Sequence, residues 1–264
     1  MNGAETVVKF LLDKGVDTAF GYPGGPVLVL YEAVYKYKFP HYLTRHEQGA
    51  VHAAEGYAKV SGKPGVVFAT SGPGATNLVT GLTDAMLDSV PVFAVTGAVA
   101  RKDTGRDAFQ EADITGITEP ITKGNYLIMD ENKLLPLLEE AWALTTEGRP
   151  GPVLVNIPKD ILSAEIPEKQ HALRAFKRVE PRATQRFSHD SEVLPFLKKA
   201  ERPLLLVGGG VNISPGAPEA LKALCDVLPL PVAVTSMGLG TVPSDNPDYL
   251  GFAGMHGSLQ ANAA

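Results

Sequence analysis

The chain has 264 residues, including 27 glycines and 21 prolines, and a formal net charge of −5. This length suffices for one large domain or two of ordinary size. The negative charge argues against a nucleic-acid partner or an anionic membrane surface. One cysteine excludes an internal disulfide and fits a reducing compartment, so we expect a cytoplasmic protein. No run reaches the roughly 18 apolar residues that span a bilayer.

The first predicted elements are an amphipathic helix, a strand, a helix and a second strand. Asn2 is a helix cap, with Glu5 three residues later and Gly15 ending the helix, a pattern unlike a signal peptide. The next three elements are predicted over 17–22, 27–37 and 39–43. The PGGP segment at 23–26 closes the first strand.

Glu47 follows the second strand, at the first turn of a helix that ends at Gly62. One side of that helix is predicted to be apolar and buried, formed by Ala50, Val51, Ala53, Ala54, Tyr57 and Ala58. A glutamate in this place commonly does no more than complement the helix dipole. In a dry site it could instead hydrogen-bond a ring nitrogen of a ligand. Position alone leaves both interpretations open.

Buried strands are predicted over 65–69, which has no polar alternation and so indicates burial on both faces, and over 91–96. A further strand is predicted over 152–157. Helices are predicted between and around them, over 75–88 and 131–146. The alternation of strands and helices predicts an α/β fold with a doubly wound parallel sheet.

The regular hydrophobic periodicity of the sequence fades after residue 165. Basic residues and prolines over 166–188 predict a linker between a first domain, 1–165, and a second region, 189–264. That region predicts helices over 191–200 and 218–228, a buried strand over 203–207, and a strand over 231–235. It is thin for a free-standing parallel sheet, so we expect an incomplete second α/β domain in a piece of a longer protein.

Several motifs could carry chemistry, and each has an ordinary structural explanation. The turn at Gly72 and Gly74 could bind an anion or could merely permit a tight connection. The run 208–210 is a degenerate dinucleotide loop. Arg149 and Lys159 flank a strand, where cations commonly pair with carboxylates. The six histidines show no metal-site spacing, so we expect no metal ligands in this chain.

The combination is more specific than its parts. Five segments occur in order: FGYPGG at 20–25, RHEQGA at 45–50, TSGPGATN at 70–77, DAFQE at 107–111, and GRPGP at 148–152 with PKD at 158–160. Together they resemble the catalytic large subunits of the acetolactate synthases, a branch of the thiamine-diphosphate enzymes. The resemblance runs from the first helix to Ala264.

The resemblance implies that 1–165 is the pyrimidine-binding domain and that 189–264 begins a central, FAD-binding domain. It implies that Glu47 is catalytic, bonding the aminopyrimidine of thiamine diphosphate so that the coenzyme can be deprotonated and can decarboxylate pyruvate. Condensation with a second 2-keto acid follows in that family. The Gly-Asp-Gly…Asn segment that holds Mg²⁺ in the family is not found here. We therefore expect the chain alone to be inactive.

The resemblance also assigns other residues. Substrate-side positions are Gly24, Phe109, Gln110 and Lys159. Cofactor-contacting positions are Glu47, Gly72, Gly74, Asn77 and Gln110. Flavin-contacting positions are Arg149, Gly208, Gly209, Gly210, Met237, Gly238, Gly254, Met255, His256 and Gly257.

The family relationship further implies a homodimer, with a small regulatory subunit as an additional partner. Other hypotheses stay open at this stage. One is a sister activity such as sulfoacetaldehyde acetyltransferase or oxalyl-CoA decarboxylase; glyoxylate carboligase is disfavoured because it lacks the glutamate. Another is a non-catalytic nucleotide-binding or dimerisation module.

Overall fold

The computed structural model describes residues 1–166 and 193–264, and these ranges form two separate units. The predicted linker, 166–188, lies outside the described residues except for Ile166. Ile166 is buried in the core of the first unit, and its backbone N–H donates to the carbonyl of Met1. The predicted domain boundaries at 165 and 189 stay predictions.

Six parallel strands form the sheet of the first unit. They are β1 (Ala19–Gly21), β2 (His41–Leu43), β3 (Gly65–Ala69), β4 (Val92–Ala98), β5 (Gly124–Leu127) and β6 (Val153–Pro158). Their spatial order is β2-β1-β3-β4-β6-β5. The prediction of a parallel α/β sheet is confirmed.

Helices cover both faces of this sheet. They are α1 (Gly3–Asp13), α2 (Leu28–Lys36), α3 (Glu47–Ser61), α4 (Pro73–Thr76), α5 (Val79–Asp88), α6 (Ile114–Thr118), α7 (Leu134–Thr146) and α8 (Lys159–Ser163). Alternate strand residues point to opposite faces. Val66 and Phe68 pack with α1, α2 and α7, whereas Val67 and Ala69 pack with α3 and α5. Burial on both faces explains why β3 lacks polar residues.

The N-terminal helix and α3 begin and end as the sequence predicts. Asn2 and Glu5 form a reciprocal capping box at the start of α1. Gly15 and Gly62 follow α1 and α3 with φ of +74° and +71°, a conformation that glycine adopts without steric cost.

Parts of the first unit differ from expectation. The predicted single helix over 75–88 is two helices, α4 and α5, interrupted at Asn77 and Leu78, where the Leu78 N–H donates to the carbonyl of Ala75, three residues earlier. Strand β5 and helices α6 and α8 were not predicted. β5 is a half-buried edge strand that starts with Gly124 and Asn125, residue types that strands disfavour.

Within 193–264 the second unit has three parallel strands in the order β7-β8-β9, and four α-helices. The strands are β7 (Leu205–Val207), β8 (Val232–Val234) and β9 (Tyr249–Phe252). The helices are α9 (Val193–Lys199), α10 (Gly210–Ile213), α11 (Ala217–Val227) and α12 (Leu259–Ala263). The central strand β8 is buried and packs with Val207 and Leu221.

The prediction of a buried strand over 203–207 is wrong for most of its length. Leu206 is 60% exposed and only Val207 is buried. β7 is an edge strand, and nothing in 193–264 covers the face that carries Leu206. In the described parts of the chain, no helix has the length and apolar character needed to cross a membrane.

Candidate functional site

The carboxyl ends of three neighbouring strands bring the predicted site residues together. Gly24 follows β1, Glu47 follows β2, and the turn 70–74 follows β3. Helix α2 leaves β1 toward one face of the sheet, whereas α5 leads from β3 along the other. A parallel sheet opens a ligand crevice where consecutive connections diverge in this way.

Glu47 is the first residue of α3 and is only 7% exposed. The preceding residue, His46, caps the helix by accepting a 3.1 Å hydrogen bond from the Gln48 N–H through Nδ1. The side-chain amide of Asn77 donates a 2.9 Å hydrogen bond to Oε2 of Glu47. No described residue is recorded as donating to Oε1 of Glu47. The carboxylate is therefore fixed in direction and keeps one oxygen for a ligand.

Small residues allow the turn after β3 to approach Glu47. A Cβ on Gly74 would lie 2.6 Å from Cγ2 of Thr70 and 3.0 Å from Oε1 of Glu47. A Cβ on Gly24 would lie 2.5 Å from Cβ of Thr70. Both glycines therefore serve close packing around Glu47.

Two hydroxyl groups in this turn have no hydrogen-bond partner among the described residues. Thr70 and Ser71 are 6% and 3% exposed, and neither Oγ1 of Thr70 nor Oγ of Ser71 has a hydrogen-bond partner in the described structure. Buried polar groups are normally hydrogen-bonded, so each exception calls for an explanation. A ligand that bound here and hydrogen-bonded the two hydroxyls, after a local adjustment, would supply that explanation. The sequence reasoning missed both residues, although two hydroxyl side chains at the end of a buried strand are a visible signal.

Tyr31 lies close enough to Glu47 to be affected by its charge. Burial raises the pKa of the Tyr31 phenol, and the negative charge of Glu47 raises it further. Tyr31 therefore stays protonated at neutral pH, and its hydroxyl lies 3.3 Å from Nε2 of His41.

Gln110 contacts the same turn from the other side. Gly72 has a φ of +56°, and a Cβ there would lie 2.4 Å from the backbone carbonyl oxygen of Gln110. Gln110 and Gly72 also line a cavity of about 210 Å³, whose other walls include Ser71 after β3, Gly97 at the end of β4, and Asn156 in β6. This cavity extends the site along the carboxyl edge of the sheet.

The second unit also gathers glycine-rich loops at the carboxyl ends of its strands. The loops at 208–210, 236–238 and 254–257 follow β7, β8 and β9 in turn. A Cβ on Gly209 would lie 2.8 Å from Cβ of Met237, so the first two loops are in contact. The side chain of Asn262 joins the third loop to α12, through hydrogen bonds of 2.9 Å to the backbone N–H and carbonyl of Gly254.

Two sequence families match the chain. Residues 1–117 match the family described as "Thiamine pyrophosphate enzyme, N-terminal TPP binding domain", and residues 191–264 match "Thiamine pyrophosphate enzyme, central domain". Both matches are to domains of the thiamine pyrophosphate enzymes.

The chain is also similar to acetolactate synthase large subunits. It is 47% identical over 264 residues to the "Acetolactate synthase isozyme 2 large subunit" of Escherichia coli, covering all of this chain and 47% of the relative. It is 45% identical to the large subunit of Lactococcus lactis, covering 46% of that protein. The "Acetolactate synthase, chloroplastic" of Arabidopsis thaliana is 46% identical over 99% of this chain and 39% of its own length. The chain thus spans about half, or less, of these relatives.

Some of the site residues that the family resemblance implies are not brought together with Glu47. Phe109 neighbours Gln110 but is 90% exposed. Lys159 follows β6 at the same edge of the sheet and is exposed, with no recorded side-chain partner in the described residues. The functional roles of these residues stay predictions.

Arg149 precedes β6 and therefore lies at the opposite edge of the parallel sheet from Glu47. Its guanidinium donates to the carbonyl oxygens of Met86 and Leu87 at 2.9 and 2.8 Å, and to Oγ of Ser89 at 2.7 Å. These atoms belong to the end of α5, so Arg149 caps a helix C-terminus. The expected pairing with a carboxylate is wrong, because helix-end carbonyls take its hydrogen bonds.

Glu55 is a second buried acid that sequence reasoning missed. It is 3% exposed on α3, and its Oε2 lies 2.6 Å from Nδ1 of His52, which is 4.0 Å from Oδ2 of Asp84. Burial raises the pKa of Glu55, although the hydrogen bond to His52 opposes this. The three side chains have ligand atoms close enough for a cation. The His52–Glu55 pair uses only Oε2 of Glu55, whereas Oε1 is buried without a hydrogen-bond partner in the described structure.

Proposed function

We propose that this chain is the pyrimidine-binding part, and the beginning of the flavin-binding part, of a thiamine diphosphate-dependent acetolactate synthase. The whole protein would decarboxylate pyruvate, releasing CO₂, and join the remaining two-carbon unit to a second 2-keto acid. Products of this reaction would be used in branched-chain amino acid biosynthesis. One observation carries the proposal: Glu47 is a buried carboxylate, held by Asn77, with one oxygen left for a ligand.

The residues around Glu47 fit the aminopyrimidine of thiamine diphosphate. The carboxylate can accept a hydrogen bond from a protonated ring nitrogen, and the unpartnered hydroxyls of Thr70 and Ser71 offer further polar contacts. When bound, the coenzyme supplies the nucleophilic carbon and the electron sink of the reaction.

Glu47 would orient the ring and hold a proton at its free carboxylate oxygen. The burial of Glu47 excludes water, and a low local dielectric strengthens a hydrogen bond between a carboxylate and a ring N–H. Asn77 fixes the direction of the carboxylate, and the glycines at 24 and 74 allow the turn to close over it. The chain thus provides positioning and one proton-transfer group.

Further parts of the proposal concern cofactors, partners and location. The loops at 208–210, 237–238 and 254–257 would contact FAD, since all three lie at the carboxyl edge of the second sheet. Mg²⁺ would be held by residues outside this chain. We also propose pyruvate as substrate, a homodimer, a small regulatory subunit and a cytoplasmic location, on the strength of the similarity to acetolactate synthase large subunits.

A chimera tests the proposed activity. In it, this chain replaces the aligned part of the E. coli isozyme 2 large subunit, with which it is 47% identical. With thiamine diphosphate, Mg²⁺, FAD and pyruvate, the chimera should form acetolactate. The 264-residue chain alone and the remaining E. coli part alone should not. A folded chimera that binds the cofactors without turnover would support a binding module instead.

A further inference from the structure

The loop between Gly105 and Glu111 is organised by one carboxylate. Oε1 of Glu111 accepts a hydrogen bond from the backbone N–H of Gly105. Oε2 accepts from the backbone N–H groups of Ala108 at 2.9 Å and Arg106 at 3.3 Å. The N–H of Glu111 itself donates to the carbonyl of Ala108 at 2.9 Å. A single side chain therefore closes the loop on itself.

Without these bonds the loop would not favour its observed shape. Asp107 and Gln110 have φ of +53° and +62°, a region in which residues other than glycine are disfavoured. Such conformations persist where surrounding interactions over-determine them, and they concentrate at functional sites. The hydrogen bonds join Glu111 to residues 105–108, so Asp107 and Gln110 both lie within the stretch of chain that these bonds close.

The loop also touches the candidate site. The carbonyl of Gln110 packs against Gly72, which lies two residues before Gly74 in the turn over Glu47. Gly105, Gln110 and Glu111 line the cavity of about 210 Å³. The loop presents the ring of Phe109 to solvent, 90% exposed. A shift of this loop would therefore change both the cavity wall and the contact with the turn.

We propose that Glu111 is a positioning residue of the active site, acting through the loop it closes to set the placement of Phe109 and Gln110 toward the 2-keto acid. This inference rests on the proposed function for the identity of the ligand. The organisation of the loop by Glu111 can be tested without any reaction.

Backbone amides dominate the electrostatics of Glu111. The N–H groups of Gly105 and Ala108 lower the pKa of its carboxyl, with smaller contributions from Arg106 and Asp107 and an opposing effect of burial. The other charged residues within eight positions of Glu111 in the sequence are Asp103, Arg106, Asp107, Asp113 and Glu119. Of these, Asp113 is engaged at the start of α6, where it accepts from the N–H of Gly116.

The first test measures amide hydrogen exchange of Gly105, Arg106 and Ala108 in the 264-residue chain against pH. The wild-type amides should be protected above the usual carboxyl pKa and lose protection as pH falls through the lowered pKa. In E111Q they should exchange about tenfold faster at neutral pH, with no such transition. Glu119 is an exposed glutamate nearby, so E119Q is the matched control and should behave as wild type. Unchanged protection in E111Q would overturn the proposal.

The second test separates positioning from mere folding. In the chimera, E111Q should raise the KM for pyruvate about tenfold while kcat falls less, because substrate-side groups are misplaced and the proton-transfer group is intact. E119Q should leave both constants unchanged. An unaltered KM in E111Q would overturn the functional half of the inference. An inactive unsubstituted chimera would instead contradict the proposed function, and the exchange experiment would still decide whether Glu111 organises the loop.

Discussion

The amide of Asn77 and the carboxylate of Glu47 meet at 2.9 Å although 30 positions separate them in the chain. Glu47 begins α3 and Asn77 lies between α4 and α5, so the contact joins the ends of β2 and β3 across the intervening strand β1. A buried carboxylate needs hydrogen-bond donors, and Asn77 is the side-chain donor recorded for Glu47 within the described ranges. This pair is the core of the candidate site.

Substitution of Asn77 should destabilise the first unit. N77A leaves the Oε2 atom of Glu47 without its donor, and we expect a loss of about 1–2 kcal/mol in the free energy of unfolding. N77D should cost more at neutral pH than at acid pH, because it places two carboxylates side by side. Urea denaturation followed by circular dichroism measures both losses. Gln48 carries an exposed amide beside Glu47, so Q48A is the control and should be near neutral; an equal loss in Q48A would contradict the assigned role of Asn77.

A methyl group at position 74 should disturb the turn directly. G74A places a Cβ 2.6 Å from Thr70 and 3.0 Å from the Glu47 carboxylate, and we expect a loss of about 1–3 kcal/mol in unfolding free energy. Gly56 lies in α3, and a Cβ added there would have no atom within 4 Å, so G56A should stabilise by up to about 1 kcal/mol. The same denaturation experiment compares them. If G74A is tolerated as well as G56A, the close packing around Glu47 is not as described.

The two cations that flank β6 should differ in their effect on stability. R149A removes the hydrogen bonds to the end of α5 and should cost about 1 kcal/mol. K159A removes an exposed ammonium without a recorded partner in the described residues and should change stability by less than about 0.5 kcal/mol. Denaturation without flavin keeps this structural role of Arg149 apart from its predicted contact with FAD. An equal cost for both variants would contradict the capping role.

Glu55 should make stability depend on pH above the ordinary carboxyl range. Because burial raises its pKa, the protonated form favours folding, and this contribution is present at acid pH and lost as pH rises through the raised value. E55Q should remove that part of the slope when unfolding free energy is measured between about pH 4.5 and 8. E32Q, at an exposed glutamate on α2, is the control and should keep the wild-type slope. A wild-type slope in E55Q would show that Glu55 titrates normally.

Local patterns predicted the parts of the fold that local patterns determine. The run of apolar residues predicts β3, and the glycines after α1 and α3 predict where these helices end. The structure confirms all three. Helix α3 was also predicted with Glu47 at its start. β5 escaped prediction because it is an edge strand of four residues, three half-buried and one exposed. It depends on pairing with β6, 29 residues away in sequence at Gly124 and Val153.

In the site, too, local sequence predicts some features, whereas others depend on residues that are distant in the chain. Sequence order places Glu47 and the glycine turn at the ends of neighbouring strands, but it cannot show that Asn77 turns toward Glu47. Glu55 was within reach of sequence reasoning, since it follows Val51 by one helical turn and so falls on the buried stripe of α3. The unpartnered hydroxyls of Thr70 and Ser71 emerge only once their neighbours are known.

The most direct test of the central claim is the rate of acetolactate formation by the chimera with Glu47→Gln. Glutamine keeps the size of the side chain but cannot act as a carboxylate toward a ring N–H. We predict a fall in kcat of about 100-fold or more, with the folded structure retained by circular dichroism. A variant that forms acetolactate at the rate of the unsubstituted chimera would contradict the role assigned to Glu47.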